Sequence, residues 1–159
     1  MAIEIERRFL IELPLTWYAS FKLRKCKKID ICQTYLANHL VINGEKANSR
    51  VRRSETRFDK YTQIKYTLTT KNIVSPGINN EIEYVISHKE FLEKLKLADN
   101  SKKLIAKSRY EIPYGGKTFE LDVFQNEYEG LAILEIELLD LKETITLPPF
   151  LKVIKEINL

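Results

Sequence analysis

The chain opens with Glu4-Ile5-Glu6-Arg7-Arg8, a pattern able to hold a cation and an anion side by side. In a β-strand the two-residue period puts Glu4, Glu6 and Arg8 on one face and Ile5 on the other. Side chains two apart on a strand sit about 7 Å from one another, so two such carboxylates repel by roughly 2–3 kcal/mol at an effective dielectric near 20. A bound cation reverses that sign. The bland alternative is a charged edge strand facing water, where solvent and salt screen most of the repulsion.

The same spacing recurs along the chain. Arg50-Val51-Arg52 places two bases around an apolar residue, and Lys65 follows in Gln63-Ile64-Lys65. Glu81-Ile82-Glu83, Glu120-Leu121-Asp122 and Glu135-Ile136-Glu137 are further acid pairs, and Lys107-Ser108-Arg109 is a second basic pair. Acids pair with acids and bases with bases, mostly around an apolar spacer. Randomly scattered surface charge has no reason to sort itself in this way, so the set favours a functional face.

At 159 residues the chain is expected to form a single domain, 1–159, with a substantial core. An apolar content of 44%, a charged content of 30% and a net charge of +4 are those of a soluble globular protein. The mild positive charge admits anionic ligands without demanding nucleic acid. Charges begin at Glu4 and apolar runs are short, so neither a leader nor a membrane segment is expected. Cys26 and Cys32 match no zinc or redox spacing and are expected as reduced thiols in the cytoplasm. His39 and His88 have no partner at metal spacing and are expected at the surface or in structural roles. Trp17 is expected in the core or at its rim.

Eight segments read as strands: Ile3–Ile11, Asp30–Ala37, Asn48–Arg53, Lys60–Thr70, Asn80–Ile86, Leu104–Pro113, Lys117–Phe124 and Ala132–Leu138. Turn chemistry separates several of them, at Asn43-Gly44, Pro76-Gly77 and Pro113-Tyr114-Gly115-Gly116. Short turns imply an antiparallel sheet. Three helices are expected: Pro14 to about Lys28, His88–Leu97 behind a Ser87–Glu90 capping box, and Phe150–Asn158 after Pro148-Pro149. The basic run Lys22 to Lys28 reads as a solvated helix face, because no exposed aromatics interleave it as nucleic-acid binding would favour.

Such strands could turn their charges to water, or close into a barrel with the charges inside and the apolar spacers outside. Open sheets with one wet face are the commoner design. Here the paired acids suit chelation, and the paired bases are predominantly arginine, whose planar fork matches phosphate oxygens. The near balance of signs would let a closed tunnel neutralise itself. The expected fold is therefore mainly β within the α+β class: a closed eight-stranded antiparallel barrel with a few helices packed outside. Its interior would hold side chains plus one small ligand.

With these residues assembled, the chain resembles the CYTH superfamily, the triphosphate tunnel metalloenzymes, in the manner of a bacterial-type CYTH domain. Glu4, Glu6 and Arg8 resemble the opening Glu-x-Glu-x-Lys motif of that family, with arginine in place of lysine. Gln33-Thr34-Tyr35-Leu36 resembles its Gln-x-Tyr-Leu strand, and the other charged pairs follow in the family's order from residue 2 to about 140. The resemblance implies a tunnel that binds a triphosphate along its axis. It implies Glu4, Glu6, Glu135 and Glu137 as metal-binding and catalytic acids, with Asp122 as a further ligand or orienter. Arg50, Arg52, Lys65, Lys107 and Arg109 would clamp phosphate. Arg8 would act by charge pairing, since arginine stays protonated. Glu81, Glu83 and Glu120 would support bases or water.

The expected function is hydrolysis of a triphosphate, inorganic tripolyphosphate first among them, assisted by Mg²⁺ or Mn²⁺ as cofactor. The partner is thus a small molecule, with neither nucleic acid nor membrane expected, and a homodimer is compatible with the sequence. Rival enzymes of the same family are a nucleotide triphosphatase, a thiamine triphosphatase and a class IV-type adenylyl cyclase. A rival of another class is a non-catalytic polyphosphate- or nucleotide-binding module. Keeping both terminal acid pairs weighs against that module, because an anion sensor would gain affinity by losing them.

Overall fold

Alternation of charged and apolar residues becomes, in three dimensions, alternation between the inside and the outside of a ring of strands. The computed structural model describes residues 2–14, 16–17, 21–37, 40–42 and 44–157. The strands are β1 (Ala2–Glu12), β2 (Lys27–Tyr35), β3 (Leu40–Ile42), β4 (Glu45–Phe58), β5 (Tyr61–Ser75), β6 (Ile78–Ile86), β7 (Ile105–Tyr114), β8 (Lys117–Phe124), β9 (Ala132–Glu137) and β10 (Lys152–Ile157). Two helices, α1 (Phe21–Arg24) and α2 (His88–Leu95), accompany them. Antiparallel pairing runs β1-β6-β5-β4-β2-β7-β8-β9 and returns to β1, which closes an eight-stranded barrel. The short β3 pairs β4 outside this ring, and β10 pairs β1.

The apolar spacers face outward and are covered unequally. Over β1, β7, β8 and β9 they form the main core: Phe9, Ile11, Tyr110, Ile112, Phe119, Leu121, Leu134 and Ile136 are all buried. Leu23, Leu138 and Leu151 close over this layer, together with partly buried Trp17, Ile145, Leu147 and Phe150. Burying each large side chain contributes about 1.5–3 kcal/mol, so this jacket supplies much of the folding drive. Trp17 meets Tyr110 edge-on at 6.0 Å. On the opposite side α2 lies over β4 and β5, where Tyr66 stacks on His88 at 5.0 Å and packs on Phe91 at 4.8 Å. The capping box forms as expected, Ser87 Oγ accepting from Glu90 N–H at 3.1 Å. Leu92 of that helix is exposed.

Two of the expected helices are corrected. Within Pro14–Lys28 only Phe21–Arg24 is α-helical among the described residues, and Lys27 already belongs to β2. Lys27 pairs with Glu111, and Lys28 pairs with Tyr110 on one side and Arg57 on the other, so backbone pairing overrides the basic amphipathic pattern. The segment expected as a helix over Phe150–Asn158 is the strand β10, with Asn158 outside the described residues. The cause lies in β1. Its residues Ala2–Ile5 pair with β6, and beyond them that edge would be bare; Arg8–Glu12 pair with β10 instead. His39 and Asn43 lie outside the described residues.

Turn chemistry follows the sequence closely. Gly115 and Gly116, at φ 59° and 76°, form the two-residue loop between Tyr114 and Lys117, as a type I′ hairpin requires. Gly77, at φ 81°, has a second role. Its carbonyl accepts from Glu6 N–H at 2.9 Å. An added Cβ would lie 2.9 Å from the Glu6 carbonyl oxygen and 3.0 Å from Leu141 Cδ2. The β5–β6 turn is therefore fastened to β1 at the residue that faces the tunnel. Gly77→Ala is expected to destabilise the protein by about 1–3 kcal/mol, from positive φ and the close backbone contact together. Urea unfolding checks this, and a wild-type midpoint would refute the close approach.

Candidate functional site

Strand parity decides which charges enter the barrel. Glu4, Glu6 and Arg8 of β1, Arg50 and Arg52 of β4, Glu81 and Glu83 of β6, Lys107 and Arg109 of β7, Glu120 of β8, and Glu135 and Glu137 of β9 line one cavity of about 230 Å³. The structure thus gathers twelve of the fourteen site residues named from the sequence. The two others are Asp122 and Lys65. Asp122 sits behind the lining, 1% exposed. Lys65 shares its parity with Thr67 and Thr69 but pairs with Ser54, one step beyond the last β5–β6 pair, Tyr66 with Ile86. It therefore stands exposed on a hairpin that overshoots the barrel.

Around the ring the two signs are segregated except at Arg8, which stands among the carboxylates of β1 and β9. Four adjacent strands, β8, β9, β1 and β6, carry the carboxylates, while β4 and β7, separated by β2, carry Arg50, Arg52, Lys107 and Arg109. The basic wall would attract an anion and the acidic wall a cation.

The basic wall is short of partners. Arg52 donates its Nε and Nη2 to the neutral Gln33 Oε1 at 3.1 and 2.7 Å. Burial, then the charges of Arg50 and Arg109, lower its pKa to about 10. The Arg50 Nε is buried without a hydrogen-bond partner. One carboxylate anchors the other two bases: Asp122 takes Lys107 Nζ at 2.6 Å and the Arg109 Nε and Nη2 at 2.7 and 2.9 Å. Burial works to raise the Asp122 pKa, but these bonds outweigh it and hold it low. Burial pushes Lys107 down to about 8 despite that partner. Arg109 also reaches Glu120 at 2.6 Å.

On the acidic wall like charges stand opposite one another. Glu6 faces Glu137 across β1 and β9, and Glu120 faces Glu135 across β8 and β9, an arrangement that destabilises a sheet. Burial and the Glu135 charge raise the Glu6 pKa to about 7. Glu81 is raised to about 8 by burial and by its hydrogen bond with Glu4. Glu4 goes the other way, to about 2; burial opposes this, and bonds from Glu81 and Lys71 prevail. Arg8 lies 3.1 Å from Glu135 and 3.6 Å from Glu6. Glu83 accepts from Thr69 Oγ1 at 2.7 Å.

In kind and charge this set of hard oxygen donors fits a divalent cation such as Mg²⁺ or Mn²⁺. Among the described residues no three acidic, imidazole or thiol groups are already gathered as an ion site. Asp122, committed to two bases, serves the basic wall.

Sequence reasoning missed Lys71. It lies opposite Glu81 and has the inward parity of Thr67 and Thr69. The signal was present: continuing the alternation past Thr70, where the expected strand stopped, reaches it. Tyr35, on the strand whose motif had been noted, also lines the tunnel.

A larger cavity of about 670 Å³ adjoins the tunnel and shares Glu6, Arg8, Tyr35, Arg50 and Lys71 with it. Ile73, Leu141 and Ile157 add apolar surface, and Glu156 on β10 is bound to Arg7 at 2.6 Å at its rim.

The strain on Glu6 has a pH signature. Its folded pKa is raised from 4.5 to about 7, so its favourable contribution is complete below pH 4.5 and is lost as pH rises to about 7. In chelator, Glu6→Gln is expected to be more stable than wild type at pH 8 by on the order of 1–3 kcal/mol. That advantage should shrink toward pH 4.5 in thermal unfolding. An advantage equal at both pH values would assign it to something other than titration.

No family profile and no curated protein sequence matches the chain. Solved structures do. One is the inorganic triphosphatase NE1496, at 23% identity and a TM-score of 0.54, the match covering 98% of this chain and 87% of that one. Another is PH1819 from Pyrococcus horikoshii OT3, at 19% identity and a TM-score of 0.55, covering 87% of this chain and 80% of that one. A protein from Pyrococcus furiosus matches at 20% identity with a TM-score of 0.52, covering 86% and 79%. Its ring of eight antiparallel strands, closed by β1 and β9, is the fold that the chain shares with these solved structures.

Proposed function

We propose that this chain hydrolyses a triphosphate held in its tunnel, with Mg²⁺ or Mn²⁺ at the acidic wall. The observation that carries this reading is the basic wall's shortage of anionic partners: among the described residues Arg50 Nε is unpartnered and the Arg52 fork meets only an amide. Partly buried guanidiniums left in this state favour an anion with several oxygens, and arginine binds phosphate oxygens in pairs. Fold kinship with the inorganic triphosphatase NE1496 supports the same reading.

Arg50, Arg52, Lys107 and Arg109 would neutralise and align the phosphate chain, with Asp122 fixing the last two in place. Glu4, Glu6, Glu135 and Glu137 would hold the divalent ion. When bound, such an ion supplies Lewis-acid stabilisation of phosphate oxygens and acidifies water. Phosphoryl transfer asks the protein mainly for positioning and charge stabilisation, which a tunnel of fixed charges provides.

The tunnel's 230 Å³ lies below the roughly 300–1,000 Å³ of pockets that bury drug-sized ligands, which favours compact inorganic tripolyphosphate. A second reading has its own support. The adjoining 670 Å³ cavity, with Tyr35, Ile73, Leu141 and Ile157, suits an organic group on the end of the triphosphate, as in a nucleotide or thiamine triphosphate.

Phosphate release from tripolyphosphate, ATP and thiamine triphosphate, each with and without Mg²⁺ or Mn²⁺, separates these readings. Metal-dependent release is expected, fastest from tripolyphosphate. Tight binding without turnover under either metal would make the chain a binding module. Arg52→Ala is expected to raise KM for the best substrate by about 10–100-fold, the loss of a charge-assisted fork. A wild-type KM would remove Arg52 from the clamp.

A further inference from the structure

Lys71 belongs to neither wall as the charges are sorted. It is the one base of β5 in the tunnel, and its ammonium lies among the acids, 2.7 Å from Glu4 Oε1, 3.8 Å from Glu6 Oε1 and 3.9 Å from Glu81 Oε2. Among the described residues no other side-chain cation lies within 4 Å of three carboxylates; Arg8 and Arg109 each reach two. A hard cation drawn to the Glu4–Glu6–Glu81 corner would be drawn to the place this ammonium holds.

We propose that Lys71 is a resident counter-ion of the acidic wall, which a divalent cation must displace before it can bind there. This rests on the reading that the wall takes a divalent ion. Three observations carry it. An ammonium stands among three of the acids of that wall. An ammonium and a divalent ion repel strongly at the same carboxylates, so they exclude one another. And Lys71 lines both the tunnel and the larger cavity beside it, so its flexible four-carbon stem has somewhere to go. Its strand neighbour Thr69 pairs with Arg50, so a Lys71 turned away from the acids would approach the basic wall. Arrival of the ion would then add a positive charge beside the phosphate chain, coupling the binding of cation and anion. Lys71 is a positioning residue in this scheme, acting through the ion it yields to.

Mn²⁺ binding without any triphosphate, followed by electron paramagnetic resonance of the free ion, tests it on wild type, Lys71→Met and Lys71→Arg. Lys71→Met is expected to bind Mn²⁺ at least about tenfold more tightly than wild type, and Lys71→Arg to stay close to wild type. In the unaltered protein, Mg²⁺ should raise the reactivity of Lys71 toward an amine-modifying reagent, read by peptide mass spectrometry; this arm needs no variant to fold. Equal Mn²⁺ affinities for wild type and Lys71→Met, or Lys71 reactivity unmoved by Mg²⁺ in a protein that binds it, would overturn the proposal while leaving metal-dependent hydrolysis standing. Absence of Mn²⁺ binding by all three proteins would overturn both.

Discussion

Separation of opposite charges across a few ångströms of enclosed space is the constraint on which this structure turns. Carboxylates on β8, β9, β1 and β6 face arginines and lysines on β4 and β7, and most of them do not neutralise one another directly. Direct pairing is confined to a few places, chiefly around Asp122 and Lys71. Even with those pairs and the contacts of Arg8, like charges remain adjacent, as Glu6 faces Glu137 and Glu120 faces Glu135. A protein that maximised stability alone would mix the signs. Keeping them apart leaves one wall that attracts an anion and one that attracts a cation, with the space between sized for a small ligand.

Such an interior contributes little to folding, because taking charges from water offsets much of what their attraction returns. Stability has to come from outside the barrel. The layer around Phe119, Leu121, Leu134 and Phe9 meets that need, and the chain after β9 and before β2 is folded over it as a cover. The same residues that alternate with the tunnel charges form this layer, so the strand period couples site and core. A one-residue slip in any of these strands would expose the core face and bury its charges together. Register is pinned by short hairpins, by the Gly77 carbonyl bound to Glu6 N–H, and by β10 pairing the free length of β1.

The parts of this protein that depend on a two-residue period were legible in the chain: Glu4 with Glu6, Arg50 with Arg52, Lys107 with Arg109, and Glu135 with Glu137 all reach one tunnel. Glycine-rich turns were legible too, because positive φ is a local demand. Segments whose conformation depends on a distant edge were not. Lys152–Ile157 carries a pattern that a helix would also satisfy, and only the bare edge of β1 makes it a strand.

Sequence by itself determined which face each charge would take, since side-chain direction in a strand is a property of the backbone and needs no partner. Tertiary structure decided height and neighbour. Lys65 and Lys71 have the same parity on the same strand. One stands on a hairpin past the end of β6, and the other sits among three carboxylates, because the lengths of β4, β5 and β6 differ. Asp122 likewise looked like one more acid of the series. Its place between Lys107 and Arg109 comes from the register of β7 against β8, a pairing that no local pattern encodes.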